Sequence, residues 1–247
     1  MIPWVLLETA AVPGEGGELR LWRRGAEYAI RLGRADLMGS RSSGSETALA
    51  NLACARITSR PKPRILIGGL GMGFTLRAAL DALGREAQLV VAELVPAVVA
   101  WNRGPLAPLA GDPLSDRRVV VYEGDVASLI RTEPEGYDAI LLDVDNGPAG
   151  LTRDANQWLY ETEGLRATRA ALRRGGVLAV WSAGPDAKFT QRLRRAGFIT
   201  EEIRARANGA RGGARHLIWL ATRSEVRPGV DSQERGVGRE RGRRVSR

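Results

Sequence analysis

The sequence predicts an α/β protein: a Rossmann-like, mostly parallel seven-stranded sheet with helices on both faces, ending in a C-terminal antiparallel hairpin and preceded by a small N-terminal β-hairpin. Three observations predict it. Nearly all-apolar runs at 64–67, 88–92, 119–122, 139–142 and 177–181 alternate with helical segments at 74–83, 97–103, 126–132, 157–173 and 186–196; strands buried on both faces and separated by helices indicate a parallel sheet. A last pair of runs, 198–204 and 216–221, flanks the Gly-rich stretch from Asn208 to Gly213 and fits an antiparallel return. Finally, the first apolar strand leads into Ile67-Gly68-Gly69-Leu70-Gly71-Met72-Gly73-Phe74 with a helix directly behind it, the turn that brings backbone N–H groups close to a ligand.

In chain order, residues 17–38 alternate apolar and polar positions around Arg23, Arg24 and Gly25, which suits one short hairpin with a buried face and bounds an N-terminal region over 1–42. A helix over 43–57 follows, with Ser45 as N-cap and Pro61 and Pro63 closing it. A single Rossmann-like domain is expected over 43–222. Residues 223–247 carry eight Arg against four acidic residues and almost nothing to bury, so they are expected to form a disordered Arg/Gly-rich tail.

Composition excludes several classes. The 247 residues are 44% apolar and contain one cysteine, which rules out a disulfide framework and a Cys-rich zinc site and points to a reducing, cytoplasmic home. The N-terminal apolar run lacks the basic lead and cleavage pattern of a signal peptide, and no run of apolar residues has the length of a membrane span. The net charge of +9 would suit a polyanion. Four of those nine charges sit in the tail, however, and the Arg bias is uniform, so nucleic acid is disfavoured as a partner. With one His in the chain, no metal is expected.

Carboxylates recur at the carboxyl ends of the predicted strands, the edge where such sheets bind ligands. Glu93 lies twenty residues past Gly73, placed to accept both hydroxyls of a ribose. The spacing Gly69-x-Gly71-x-Gly73 departs from G-x-G-x-x-G and favours a nucleoside over a nicotinamide dinucleotide; the bland alternative is that the glycines only permit a close turn. Gly124-Asp125 closes the third strand, where Asp125 is placed to bond a base edge or to cap the next helix. Asp143 and Asp145, two apart on extended chain, should reach one crevice, although Asp145 and Asn146 also fit a solvated turn. His216 reads as structural, and Cys54 as a small core residue.

These stretches, in this order over about residues 60 to 182, resemble the spermidine synthase (polyamine aminopropyltransferase) group within the class I S-adenosylmethionine methyltransferase fold. Ile67 to Gly73 resembles its GGGDGG loop, Glu93-Leu94-Val95-Pro96 its E-I-D-P, Asp116-Arg117-Arg118-Val119 with Gly124-Asp125 its D-P-R-V…G-D, and Tyr137 to Asp143 its Y-D-x-I-x-x-D. Departures are Gly71 and Val95 where the family has Asp, a shortened segment after Asp143, and an upstream Tyr-His-Glu element of which Glu46 alone has a counterpart. The resemblance implies that Gly68, Gly69, Gly71, Gly73, Glu93, Gly124, Asp125 and Asp143 bind the cofactor, with Glu93 on the ribose and Asp125 on the adenine. It further implies Asp143 as the catalytic carboxylate; Asp145, the second catalytic candidate, could bind a second amino group of the acceptor. The co-substrate would be decarboxylated S-adenosylmethionine, or S-adenosylmethionine itself.

Three activities are then open: aminopropyl transfer to a polyamine-type amine, methyl transfer from S-adenosylmethionine to a small molecule or RNA, and nucleoside binding without turnover. The first is preferred. The expected partner is a small-molecule amine, with a homodimer as an open oligomeric state and no membrane. Trp158, Tyr160 and Trp181 are candidate cation–π walls for such an amine, or simply pack helix against sheet.

Overall fold

The computed structural model describes residues 2–14, 17–144, 148 and 156–224; Asp145, Asn146 and the segment 225–247 lie outside the described residues. Within them, two sheets form. The first is antiparallel and runs in chain order through β1 (Val5–Ala11), β2 (Glu18–Arg24), β3 (Glu27–Leu32) and β4 (Ala35–Gly39). The N-terminal region is thus a four-stranded sheet rather than the single hairpin expected. The physical reason is visible in β1, where six of seven residues are exposed, so the strand carries no alternating burial pattern. β2 and β3 carry the buried face through Leu19, Leu21 and Ile30. The indole of Trp101 donates to the Glu8 carboxylate and ties β1 to the body of the molecule.

The second sheet contains β5 (Arg64–Gly68), β6 (Gln88–Glu93), β7 (Val119–Glu123), β8 (Tyr137–Leu142), β9 (Leu172–Ser182), β10 (Phe198–Arg206) and β11 (Arg215–Arg223), in the spatial order β10-β11-β9-β8-β5-β6-β7. β5 to β9 are parallel to one another, and β10 and β11 form the antiparallel hairpin. Successive residues face opposite layers: Ile65, Ile67, Leu89, Val91 and Leu141 join one core, and Leu66, Val90, Ile140 and Leu142 the other. Both faces are therefore covered, as all-apolar strands require.

The helices are α1 (Gly44–Ala55), α2 (Phe74–Ala82), α3 (Pro96–Arg103), α4 (Val126–Thr132), α5 (Gln157–Tyr160), α6 (Thr162–Ala171) and α7 (Ala187–Arg195). Three expectations change. Ser43, not Ser45, occupies the N-cap of α1, and its side chain makes no capping bond. The helix expected over 157–173 is two helices broken at Glu161, which adopts an extended conformation, and its last two residues open β9. β11 extends to Arg223, one residue into the segment read as tail. None of the described helices is long and apolar enough to cross a membrane.

The chain reverses direction across the sheet between β5 and β8, the point at which doubly wound folds open a crevice. Backbone bonds there align the strand ends: Gly69 N–H donates to Ala92 O at 2.9 Å, Gly124 N–H to Glu93 O at 2.8 Å, and Asp143 N–H to Gly68 O at 2.9 Å. Glu93, Gly124 and Asp143 consequently stand at one edge.

Candidate active site

A cavity of about 400 Å³ opens along that edge and is lined by Gly69, Gly71, Glu93, Gly124, Asp125 and Asp143. Six of the residues expected to bind a cofactor are thereby brought together. Gly68 and Gly73 are not on its wall. Gly68 ends β5, where an added Cβ would press on Leu142 and Val126 at 3.0–3.1 Å, and Gly73 caps α2 in the left-handed region at φ +83°. They shape the turn rather than face the cavity. Asp145 lies outside the described residues.

The glycine loop needs its glycines for position. Gly69 has φ +87°, and a Cβ there would meet the Asp143 carbonyl oxygen at 2.5 Å, so only glycine allows β5 and β8 to end so close together. Glu93 then locks the loop. Its carboxylate accepts the N–H of Leu70 at 2.9 Å and of Val95 at 2.9 Å. Burial pushes its pKa up, while backbone N–H groups of Val95, Leu70, Gly71 and Leu94 oppose that rise. Asp125 caps α4, accepting from Ala127 N–H at 2.9 Å.

Asp143 differs. It is half-buried, it accepts a hydrogen bond from the Thr75 hydroxyl at 2.8 Å, and enclosure by the protein pushes its pKa up to about 7, aided by the nearby negative charge of Glu46 and opposed by Thr75. Glu46 lines the same cavity from the first turn of α1, and burial raises its pKa as well. Two carboxylates on one wall, both with pKa values pushed up and with the charge of Glu46 adding to the rise at Asp143, form a site for a cation or for a proton.

Ser45, Thr75 and His216 are site residues that sequence reasoning missed. His216, read as structural, lines the cavity, bonds Ser45 through Nδ1 at 2.9 Å and meets Trp181 edge-on at 4.7 Å. Of the three aromatic candidates only Trp181 reaches the wall. Trp158 stacks under Arg131 at 3.8 Å, and Tyr160 packs on Phe189. Apolar side chains of the N-terminal sheet, among them Leu19, Ile30, Leu37 and Met38, close the cavity from above. Its described lining residues include no Arg and no Lys, and no cluster of metal-binding side chains occurs among the described residues.

Strand order, the glycine loop after β5 and carboxylates at or just past the ends of β6, β7 and β8 define a protein of the class I methyltransferase fold. No protein-family model matches the chain. Over 131 residues, 51% of the chain, it is 34% identical to polyamine aminopropyltransferase 1 of Streptomyces coelicolor, and the chain spans about a quarter (23%) of that protein's length. The fold is similar to that of spermidine synthase from Thermotoga maritima, with a TM-score of 0.70 at 16% identity over 90% of this chain and 73% of that one. A spermidine synthase in complex with the transition state analogue AdoDATO gives 0.69 at 18% identity, over 90% of this chain and 73% of that one. A probable spermidine synthase from Corynebacterium glutamicum gives 0.58 at 14%, over 88% and 79%.

Proposed function

We propose that the chain is an aminopropyltransferase that moves the aminopropyl group of decarboxylated S-adenosylmethionine to a small amine. The observation that carries this reading is the sign of the cavity: four carboxylates, Glu46, Glu93, Asp125 and Asp143, and neither Arg nor Lys on its described wall. The tail of the decarboxylated co-substrate ends in an ammonium, which acidic side chains hold. The tail of S-adenosylmethionine keeps a carboxylate, which Glu46 and Asp143 would repel. Methyl transfer is therefore not favoured.

Glu93 would hold the ribose hydroxyls on the lone pairs that Leu70 and Val95 leave free, and Asp125 the adenine amine. The sulfonium supplies an electrophilic carbon. An amine attacks that carbon, the C–N bond forms, the C–S bond breaks with its electron pair going to sulfur, and the nitrogen loses one proton. Asp143, with a pKa pushed up to about 7, matches the work of holding the incoming ammonium and taking its proton near neutral pH. The rest is orientation in a closed pocket. The free, buried thiol of Cys54 accords with a reducing cytoplasm.

Calorimetric titration with decarboxylated S-adenosylmethionine, S-adenosylmethionine and methylthioadenosine, followed by a turnover assay with a panel of amines, tests the reading. The expected result is tightest binding of the decarboxylated form and release of methylthioadenosine in the presence of an amine. Preference for the intact form with methylated product would overturn it.

A further inference from the structure

The cavity wall contains a line of hydrogen bonds that the reaction above does not use. Ser45 Oγ is 2.8 Å from Glu46 Oε2 and 2.9 Å from His216 Nδ1. The three groups come from opposite ends of the chain, and their meeting is built into the fold. Gly44 N–H donates to Ala207 O at 2.7 Å, and Ser42 Oγ lies 2.9 Å from Asn208 Oδ1. An added Cβ at Gly44 would lie 2.2 Å from Gly209 N, so the start of α1 is seated directly on the β10–β11 connection. Ser45 is buried, whereas His216 is half-buried, and among the described residues nothing hydrogen-bonds its Nε2.

We propose that Ser45 and His216 are proton-relay residues that connect Glu46 to solvent. This rests on the aminopropyltransferase reading, because amine deprotonation leaves one proton on Asp143, and Glu46, on the same wall and close enough for its charge to act on Asp143, is the carboxylate that takes the proton over. With that proton on Glu46, its hydroxyl donates to Ser45 Oγ, Ser45 donates to His216 Nδ1, and the imidazole carries its hydrogen on Nε2. Transfer moves one proton from Glu46 to Ser45 and one from Ser45 to Nδ1. Glu46 is left ionised and His216 is briefly an imidazolium, which returns to neutrality by releasing the Nε2 proton to water. Every donor becomes an acceptor and the count of protons is conserved. Ser45 supplies between the two a hydroxyl, a group that both accepts and donates from a single atom.

The surroundings of His216 suit a short-lived cation. Burial lowers its pKa from the ordinary value, so it sheds the proton rather than keeping it. Facing it are Ser45 and Glu46 of α1 and Trp181 of β9, with Asp143, Glu93 and Asp125 elsewhere on the same wall. On β10 its pair is Ala205, and the flanking Arg204 and Arg206 pair with Leu217 and Arg215.

The chain has a single histidine, so ¹⁵N spectra of tag-free protein report His216 alone. The expected result is that Ser45→Ala changes the Nδ1/Nε2 tautomer balance, that Ser45→Thr restores it, and that Glu46→Gln shifts the His216 midpoint in a Ser45-containing background more than in Ser45→Ala. In turnover, Ser45→Ala lowers kcat about 10-fold and His216→Ala about 100-fold with KM within about 2-fold, and imidazole restores His216→Ala but not the double variant with Ser45→Ala. His216→Asn with a wild-type melting curve guards against a folding defect. Tautomer and midpoint indifferent to Ser45 and Glu46 would overturn the relay, whether or not the protein turns over. So would an unchanged kcat. A wild-type protein that fails to release methylthioadenosine while the spectral coupling holds would instead remove the aminopropyltransferase reading and leave the wiring in place.

Discussion

The two ends of the cavity hold the same functional group in opposite settings. At one end Glu93 and Asp125 accept backbone N–H groups of the loops they terminate. At the other, Asp143 and Glu46 are met by the hydroxyls of Thr75 and Ser45, and Asp143 also by the charge of Glu46. A backbone amide is a fixed donor that favours the ionised carboxylate, whereas burial near a like charge favours the protonated one. Burial raises Glu93 too, but four amides oppose it. The difference separates a pair suited to hold a ligand from a pair suited to exchange a proton.

Asp143→Asn should break this division most sharply. Turnover should fall about 1000-fold, the scale of a lost general base, while the calorimetric Kd for methylthioadenosine stays within about 3-fold. Gly69→Ala comes next: its φ and its 2.5 Å approach to the Asp143 carbonyl predict a loss of about 2–4 kcal/mol in urea denaturation, with both ends affected because the loop separates them. Glu93→Gln should weaken nucleoside binding about 10-fold, near 1.4 kcal/mol for a lost charged acceptor, with kcat at saturation little changed.

The pH profile sharpens the same contrast. With Asp143 at about 7, kcat/KM should rise as pH passes through that value, and Glu46→Gln, by removing the neighbouring negative charge, should move the midpoint down. Stability should run the other way. A carboxyl whose folded pKa lies above its ordinary 3.8 binds more protons folded than unfolded, so its contribution is complete below about pH 4 and is lost as pH rises through about 7. Asp143→Asn should therefore raise Tm by a few degrees at pH 8 and leave it unchanged at pH 4.

Much of this was legible in the sequence because it is local. Each central strand carries an apolar run, and the glycines, Glu93, Asp125 and Asp143 stand at or just past strand ends, so topology alone delivers them to one edge. What escaped is non-local or unpatterned. β1 is exposed on nearly every residue and has no period to read. Ser45 and His216 are 171 positions apart, and neither has a local signature: a serine near a helix start resembles a cap, and a lone histidine on a strand resembles packing. Thr75, buried in the first turn after the glycine loop, also gives no sign that it will meet Asp143 across β5.

The cavity wall draws residues from Val12 near one terminus to His216 near the other. Such a pocket closes long sequence loops, so on the ribosome its roof and floor exist before its last wall. A nascent chain halted before β11 should have the glycine turn and yet retain no nucleoside, and competence for ligand should arrive abruptly once the final hairpin emerges and α1 settles onto it.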